Sequence, residues 1–242
     1  MMTRFVTRYL SRSVAIGALL LFTASATEVR AQQTLFNVPS ANTAERGRTL
    51  LELTSSFRTW GPNASKEYST FLPRVTVGIG NGIELSGGVL ETNGQAFGDT
   101  TTMQLAGKWR FYNNEETGTA LAATSQVNVP LRGSIEKGSV LTFAGLHQTI
   151  KPTGTRLSGG VVNGTPRALG MDNFVGGWAS FEQPVYKGLS AIGDWVSGDH
   201  RLGAFTPGVS YEKGHHYLRA GYQIFNHDRA RNGIVLRYGF WF

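Results

Sequence analysis

From Thr49 to Phe242 the sequence alternates with a period of two, and after residue 31 no apolar run approaches the length of a membrane-spanning helix. Those two facts together leave strands as the only regular way to build this chain, because successive side chains of a strand point to opposite faces. Val75, Val77 and Ile79 alternate with Arg74, Thr76 and Gly78; Gly80-Asn81-Gly82 then makes a tight turn before Ile83, Leu85, Gly87 and Val89. Met103, Leu105, Gly107, Trp109 and Phe111 share one face, opposed by Thr102, Gln104, Ala106, Lys108 and Arg110. Leu218, Ala220, Tyr222 and Ile224 oppose Arg219, Gly221 and Gln223, and Ile234, Leu236, Tyr238, Phe240 and Phe242 oppose Val235, Arg237, Gly239 and Trp241.

The pattern predicts about twelve strands, near 48–59, 68–79, 83–91, 101–112, 119–129, 139–149, 156–163, 173–183, 189–197, 204–212, 217–225 and 233–242. Ten and fourteen are the alternative counts, because residues 139–163 alternate poorly around Gly159-Gly160 and Val161-Val162. Every second connection is short, and the alternate ones are longer. Short turns at one end and long loops at the other, with both chain ends on the short-turn side, are expected of an up-and-down barrel in a bacterial outer membrane. Pro73 and Pro207 fall inside proposed strands, where each removes a ladder donor, so bulges or strand portions beyond a membrane are expected there.

The start of the chain looks like an export signal. Arg4, Arg8 and Arg12 precede the apolar run Val14–Phe22, which is too short to span, and cleavage is expected after Ala31, with Ala26 as the alternative. Removing residues 1–31 takes away four arginines and one glutamate, so the formal charge falls from +7 to +4. The basicity of the whole chain is therefore a poor argument for a nucleic-acid partner, and no basic stripe interleaved with aromatics is visible. Thirty-one glycines and no cysteine in 242 residues exclude a disulfide-stapled scaffold and a helix bundle. The organisation expected is a signal peptide at 1–31, an irregular N-terminal segment at 32–47 that is periplasmic or plug-like, and one strand-built domain at 48–242.

Aromatic residues gather near strand ends: Phe57, Trp60, Phe111, Tyr112, Tyr186, Trp195, Phe205, Tyr211, Tyr217 and Phe225. That placement suits girdles at the two membrane interfaces. The last strand ends at Phe242 with Tyr238 and Phe240 in register. Here the chain resembles bacterial outer-membrane β-barrel proteins, whose final strand carries a terminal phenylalanine as an assembly signal. The resemblance is strongest over 233–242, and the strand pattern extends it over 48–242. It implies an all-β, antiparallel up-and-down transmembrane β-barrel of Gram-negative type, similar to small monomeric porin-like channels. The partners it implies are outer-membrane lipid and lipopolysaccharide, the barrel-assembly machinery that would read Tyr238, Phe240 and Phe242, and small solutes.

A basic side chain at mid-membrane on the lipid face costs about 2–4 kcal/mol, so the charged parity is assigned to the lumen. The pore-lining candidates are then Arg58, Arg74, Glu84, Lys108, Arg110, Asp194, Arg219 and Arg237, with Glu52 and Glu212 beside them. Facing arginines and acids would set a transverse field in a narrow passage and favour small polar or anionic solutes. Three readings stand: a passive porin-like channel, a closed-lumen structural or surface-interaction barrel, and a soluble periplasmic binder. No enzyme activity is expected, because no histidine–serine motif like that of outer-membrane phospholipases is visible. Neither a metal nor a cofactor is expected; adjacent His215 and His216 point apart in a strand-edge turn, and Gly78–Gly82 lacks the helix a phosphate loop requires.

Overall fold

The computed structural model describes residues 34–58, 68–94, 99–133, 138–169, 174–227 and 231–242. Its strands are β1 (Thr49–Arg58), β2 (Tyr68–Gly80), β3 (Ile83–Gly94), β4 (Thr100–Asn114), β5 (Thr119–Arg132), β6 (Ser139–Ile150), β7 (Thr155–Gly164), β8 (Phe174–Tyr186), β9 (Leu189–Val196), β10 (Ala204–Lys213), β11 (His216–Phe225) and β12 (Gly233–Trp241). One short helix, α1 (Pro166–Leu169), follows β7. Each strand pairs antiparallel with its sequence neighbours, and β12 closes on β1 with Leu50 opposite Trp241 and Arg58 opposite Gly233. The fold is a closed, all-β, twelve-stranded antiparallel up-and-down barrel. Closure leaves no sheet edge, so every strand finds ladder partners on both sides.

The five short turns, at 81–82, 115–118, 151–154, 187–188 and 214–215, share one end of the barrel with the start of β1 and the end of β12. The first is tight because Gly80, Asn81 and Gly82 all have positive φ, which glycine adopts freely and asparagine tolerates. The prolines behave differently from the bulges expected of them. Register is kept across Pro73, from Phe71 opposite Glu91 to Arg74 opposite Gly88, and across Pro207, from Phe205 opposite Ile224 to Gly208 opposite Gly221. The two-residue gaps in pairing absorb the missing donors. Register shifts occur instead between Gly78 and Gly80, Thr101 and Thr102, Arg110 and Tyr112, and Pro184 and Tyr186. The third shift is why neighbouring Phe111 and Tyr112 are both exposed.

The outer face is a belt of apolar side chains that includes Leu53, Val75, Leu85, Leu105, Trp109, Val127, Leu146, Val161, Val209, Leu218, Ile234 and Leu236. Of the end-of-strand aromatics, Phe57, Phe111, Tyr112, Tyr186, Trp195, Phe205 and Tyr211 are exposed on it. Tyr217 and Phe225 are not: both are 4% exposed and point into the barrel, because they share the parity of Arg219. Trp60 and the expected cleavage site after Ala31 lie outside the described residues. At the short-turn end Phe240 and Phe242 meet edge to face at 4.6 Å, and the Tyr238 hydroxyl lies 2.7 Å from His216 Nδ1.

Candidate functional site

The barrel interior is occupied by the chain's own residues 34–44, with Glu45–Gly47 exposed where the segment leaves it. From β1 this segment turns inward at the short-turn end, where the Gly47 amide donates to Gly78 O at 2.9 Å. It runs up the lumen and folds back on itself, with a bridge between Thr34 and Pro39 and the Leu35 amide donating to Val38 O at 3.0 Å. A lone hairpin inside a barrel cannot join the sheet ladder. Its remaining N–H and C=O groups must find partners on the wall or incur the cost of burial without one.

Charged side chains supply those partners. The Asp194 carboxylate accepts from the backbone amides of Phe36 at 2.7 Å, Asn37 at 2.6 Å and Val38 at 3.3 Å, and from Asn37 Nδ2 at 2.9 Å. Opposite it, Arg237 donates to Leu35 O and to Phe36 O, each at 2.9 Å, and Arg219 donates to Thr34 O. Lower down, Lys108 Nζ donates to Asn42 O at 2.6 Å and Ser40 O at 3.2 Å while ion-paired with Glu84 at 2.8 Å. Glu84 in turn accepts the Ala44 amide at 2.8 Å. Behind the arginines, Glu52 faces Arg74 at 3.6 Å and Arg237 at 3.8 Å and accepts the Tyr217 hydroxyl. Amide donors meet carboxylates and carbonyl acceptors meet cations, an arrangement of charge-assisted bonds roughly twice as strong as neutral ones.

Apolar side chains complete the seating. Leu35, Phe36 and Val38 form one buried cluster with Leu141, Phe143, Val162, Trp178, Ile192, Val196 and Val235. Those wall residues lie near the long-loop ends of β6, β7, β8, β9 and β12. Glycines make room: a Cβ on Gly208 or Gly221 would stand 2.7 or 2.6 Å from the Phe36 ring. A Cβ on Gly145 would fall 2.2 Å from the Trp178 ring. The lumen at this level is therefore a packed core.

Beside the segment, toward the short turns, a cavity of about 250 Å³ remains. Its walls include Arg110, Lys151, Arg156, Glu182, Glu115 and the pair His147 and Ser158. Arg156 donates to both Glu182 oxygens at 3.2 and 3.1 Å. His147 Nδ1 lies 2.7 Å from Ser158 Oγ, and its ring centroid is 5.7 Å from that of Trp178.

The residues predicted to line a pore thus occupy three places. Arg74, Glu84, Lys108, Asp194, Arg219 and Arg237 are gathered around the hairpin, directly or through Glu52. Arg110 stands apart on the cavity wall, and Arg58 is half-buried at the loop end of β1. Glu212 lies 3.7 Å from Arg219. The sequence reading missed the apolar wall, Tyr217 and the histidine–serine contact. The last was recoverable: a hairpin closed by Ile150 opposite Thr155 sets His147 opposite Ser158 by counting back along both strands. No carboxylate or amide among the described residues hydrogen-bonds the other nitrogen of His147, so the third member of a hydrolytic triad is missing there. His215 and His216 make separate contacts, to Trp241 O and the Tyr238 hydroxyl, and no three-ligand metal cluster exists among the described residues.

Among solved structures the chain is similar to an outer membrane channel from Pseudomonas putida F1, at 14% identity over 89% of this chain and 100% of that one, TM-score 0.48. It is also similar to the translocator domain of the autotransporter NalP from Neisseria meningitidis, at 11% identity over 83% and 89%, TM-score 0.46. A mutant of the Rh. blastica porin follows at 12% identity over 88% and 62%, TM-score 0.36. At such identities and scores the likeness extends to barrel architecture alone. No family model and no curated protein matches the sequence.

Proposed function

We propose that this chain is an outer-membrane β-barrel whose lumen is a passive route for small polar or anionic solutes, held shut by its own N-terminal segment. The observation that carries the reading is the segment at residues 34–44, seated by charge on one side and by apolar packing on the other, with a cavity of about 250 Å³ left beside it. Membrane residence is supported by the apolar outer belt, which a water-facing barrel would have to expose at a cost of about 25 cal/mol per Å². Outer-membrane lipid and lipopolysaccharide are the surroundings that belt fits, and Tyr238, Phe240 and Phe242 are the residues the assembly machinery would read. The N-terminal 31 residues act as the cleaved signal, and the mature protein performs no chemistry on its solute.

The test is planar-bilayer recording from refolded mature protein and from a variant lacking residues 34–44. Rare or small steps from the full chain and larger, frequent steps from the shortened one are expected. The closed-lumen structural barrel is favoured by one observation, the continuous apolar cluster across the loop end of the lumen. Silence from the shortened variant, shown by heat-dependent gel mobility to be folded, would select that reading instead.

A further inference from the structure

The cavity beside the hairpin differs from the rest of the lumen in how its charges are arranged. Around the hairpin the charged side chains named above are each engaged by a backbone group or by an opposite charge. On the cavity wall Arg156 and Glu182 neutralise one another, but the Arg110 guanidinium and the Lys151 ammonium have no hydrogen-bonded or ion-paired partner among the described residues. One acid opposes them, Glu115, which is exposed in the turn after β4. Lys151 is likewise exposed, in the turn after β6, while Arg110 is half-buried, so two unpaired cations against one carboxylate leave a positive local balance at a recess walled by protein.

The recess also carries hydroxyl donors at its floor. When His147 Nδ1–H donates to Ser158 Oγ, the serine hydroxyl proton is free to point into the space, and Ser180 lies on the same wall. A volume of about 250 Å³ holds a handful of waters at about 30 Å³ each, enough for a small solute and too little for a chain of sugars. We infer that this cavity is a binding site for a small organic anion bearing carboxylate or phosphate groups, gripped by Arg110 and Lys151 and hydrogen-bonded by Ser158. The inference rests on the proposed solute route only in naming which solutes would use it. The guanidinium of Arg110 presents a planar fork matched to carboxylate or phosphate oxygens, and Lys151 adds a movable point charge at the mouth.

The experiment is calorimetric titration of the refolded mature barrel, at low salt, with succinate, inorganic phosphate and, as a cation of similar size, choline. Succinate or phosphate should bind and choline should not, and whichever anion binds more tightly identifies the preferred group. The double variant Arg110→Gln/Lys151→Gln should weaken anion binding at least tenfold. Ser158→Ala should weaken it less, and Lys213→Gln, exposed at the end of β10 and absent from the cavity wall, should leave it unchanged. Folding of each variant is checked by heat-dependent gel mobility. Absence of anion binding to folded native barrel, or equal binding by the double variant, overturns the site. Channel recording separates the two proposals: conductance without anion binding removes the site and leaves the route, whereas binding without conductance does the reverse.

Discussion

Two walls of one lumen hold the two sides of one segment, and they do so by opposite means. β1–β4 with β9–β12 present Glu52, Arg74, Glu84, Lys108, Asp194, Arg219 and Arg237, which engage the backbone of residues 34–44 or brace the groups that do. β6–β9 present Leu141, Phe143, Val162, Trp178, Ile192 and Val196, which with Val235 of β12 take most of its side chains, while the Phe36 ring also fits over Gly208 and Gly221. The difference follows from what the segment lacks. Having no strand beside it, its backbone needs donors and acceptors of the right sign at the right height. Its leucine, phenylalanine and valine need only volume. Position matters on the first wall and size on the second.

The largest effect should come from the charged wall. Arg237→Ala leaves Leu35 O and Phe36 O without their main donor inside a buried network, and removing one partner of such a network costs about 3–5 kcal/mol. Hydrogen exchange at the amides of Phe36, Asn37 and Val38 should accelerate strongly while the barrel strands stay protected. If those amides remain protected, Asp194 alone seats the segment and the division between walls is misplaced.

On the apolar wall, Ile192→Ala should cost about 2–5 kcal/mol, the usual range for a buried aliphatic truncation. The same exchange measurement applies, with an added expectation: Ile192→Val should recover most of the loss, whereas Arg237→Lys should recover little, because lysine cannot span two carbonyls as a fork. Equal rescue by both conservative changes would erase the contrast.

A subtler test reads the glycines. Gly221→Ala puts a methyl against the Phe36 ring, and overpacking of this kind costs about 1–3 kcal/mol. Combined with Phe36→Leu, the penalty should shrink, since the ring is what the methyl meets. A penalty that persists in the double variant would place the strain in the β10–β11 ladder instead.

The same contrast explains what the sequence made legible. All twelve strands lie within three residues of the expected bounds, but only where the wall is charged, in β1–β4 and β10–β12, does clean alternation between apolar outside and polar inside also give the strand's facing. Parity also placed Arg219, Arg237 and Lys108 inside without any structure. Toward the long-loop ends of β6–β9 both faces are apolar, one toward the outer belt and one toward Leu35, Phe36 and Val38, so Val161-Val162 and Gly159-Gly160 gave no face. The irregularity of residues 32–47 leaves a periplasmic and a plug-like reading open, and nothing in residues 34–44 taken alone chooses between them, because the partners of Asn37, such as Asp194, lie more than 150 residues away. A local pattern reports which way a strand faces, and it carries no record of what arrives later to cover that face.

The smallest effect belongs outside both walls, at the loop end beyond β9. His200 is 3% exposed, and burial holds its imidazole below the usual histidine range even though a hydrogen bond with the Ser197 backbone and the charge of Asp199 pull it back up. The neutral ring accepts the Leu202 amide at Nδ1, 3.1 Å away. Because protonation is harder in the folded loop than in the opened one, the folded loop binds fewer protons as the pH falls below about 6.5. Its stability is therefore complete above that value and declines as acidity increases. Exchange at Leu202 and Gly203 should quicken from pH 7 to pH 5 after correction for intrinsic rates, while the amides on Asp194 hold. A His200→Gln variant, which keeps an acceptor and cannot titrate in this range, should lose that pH dependence; if it retains it, His200 is not the group that loosens this loop.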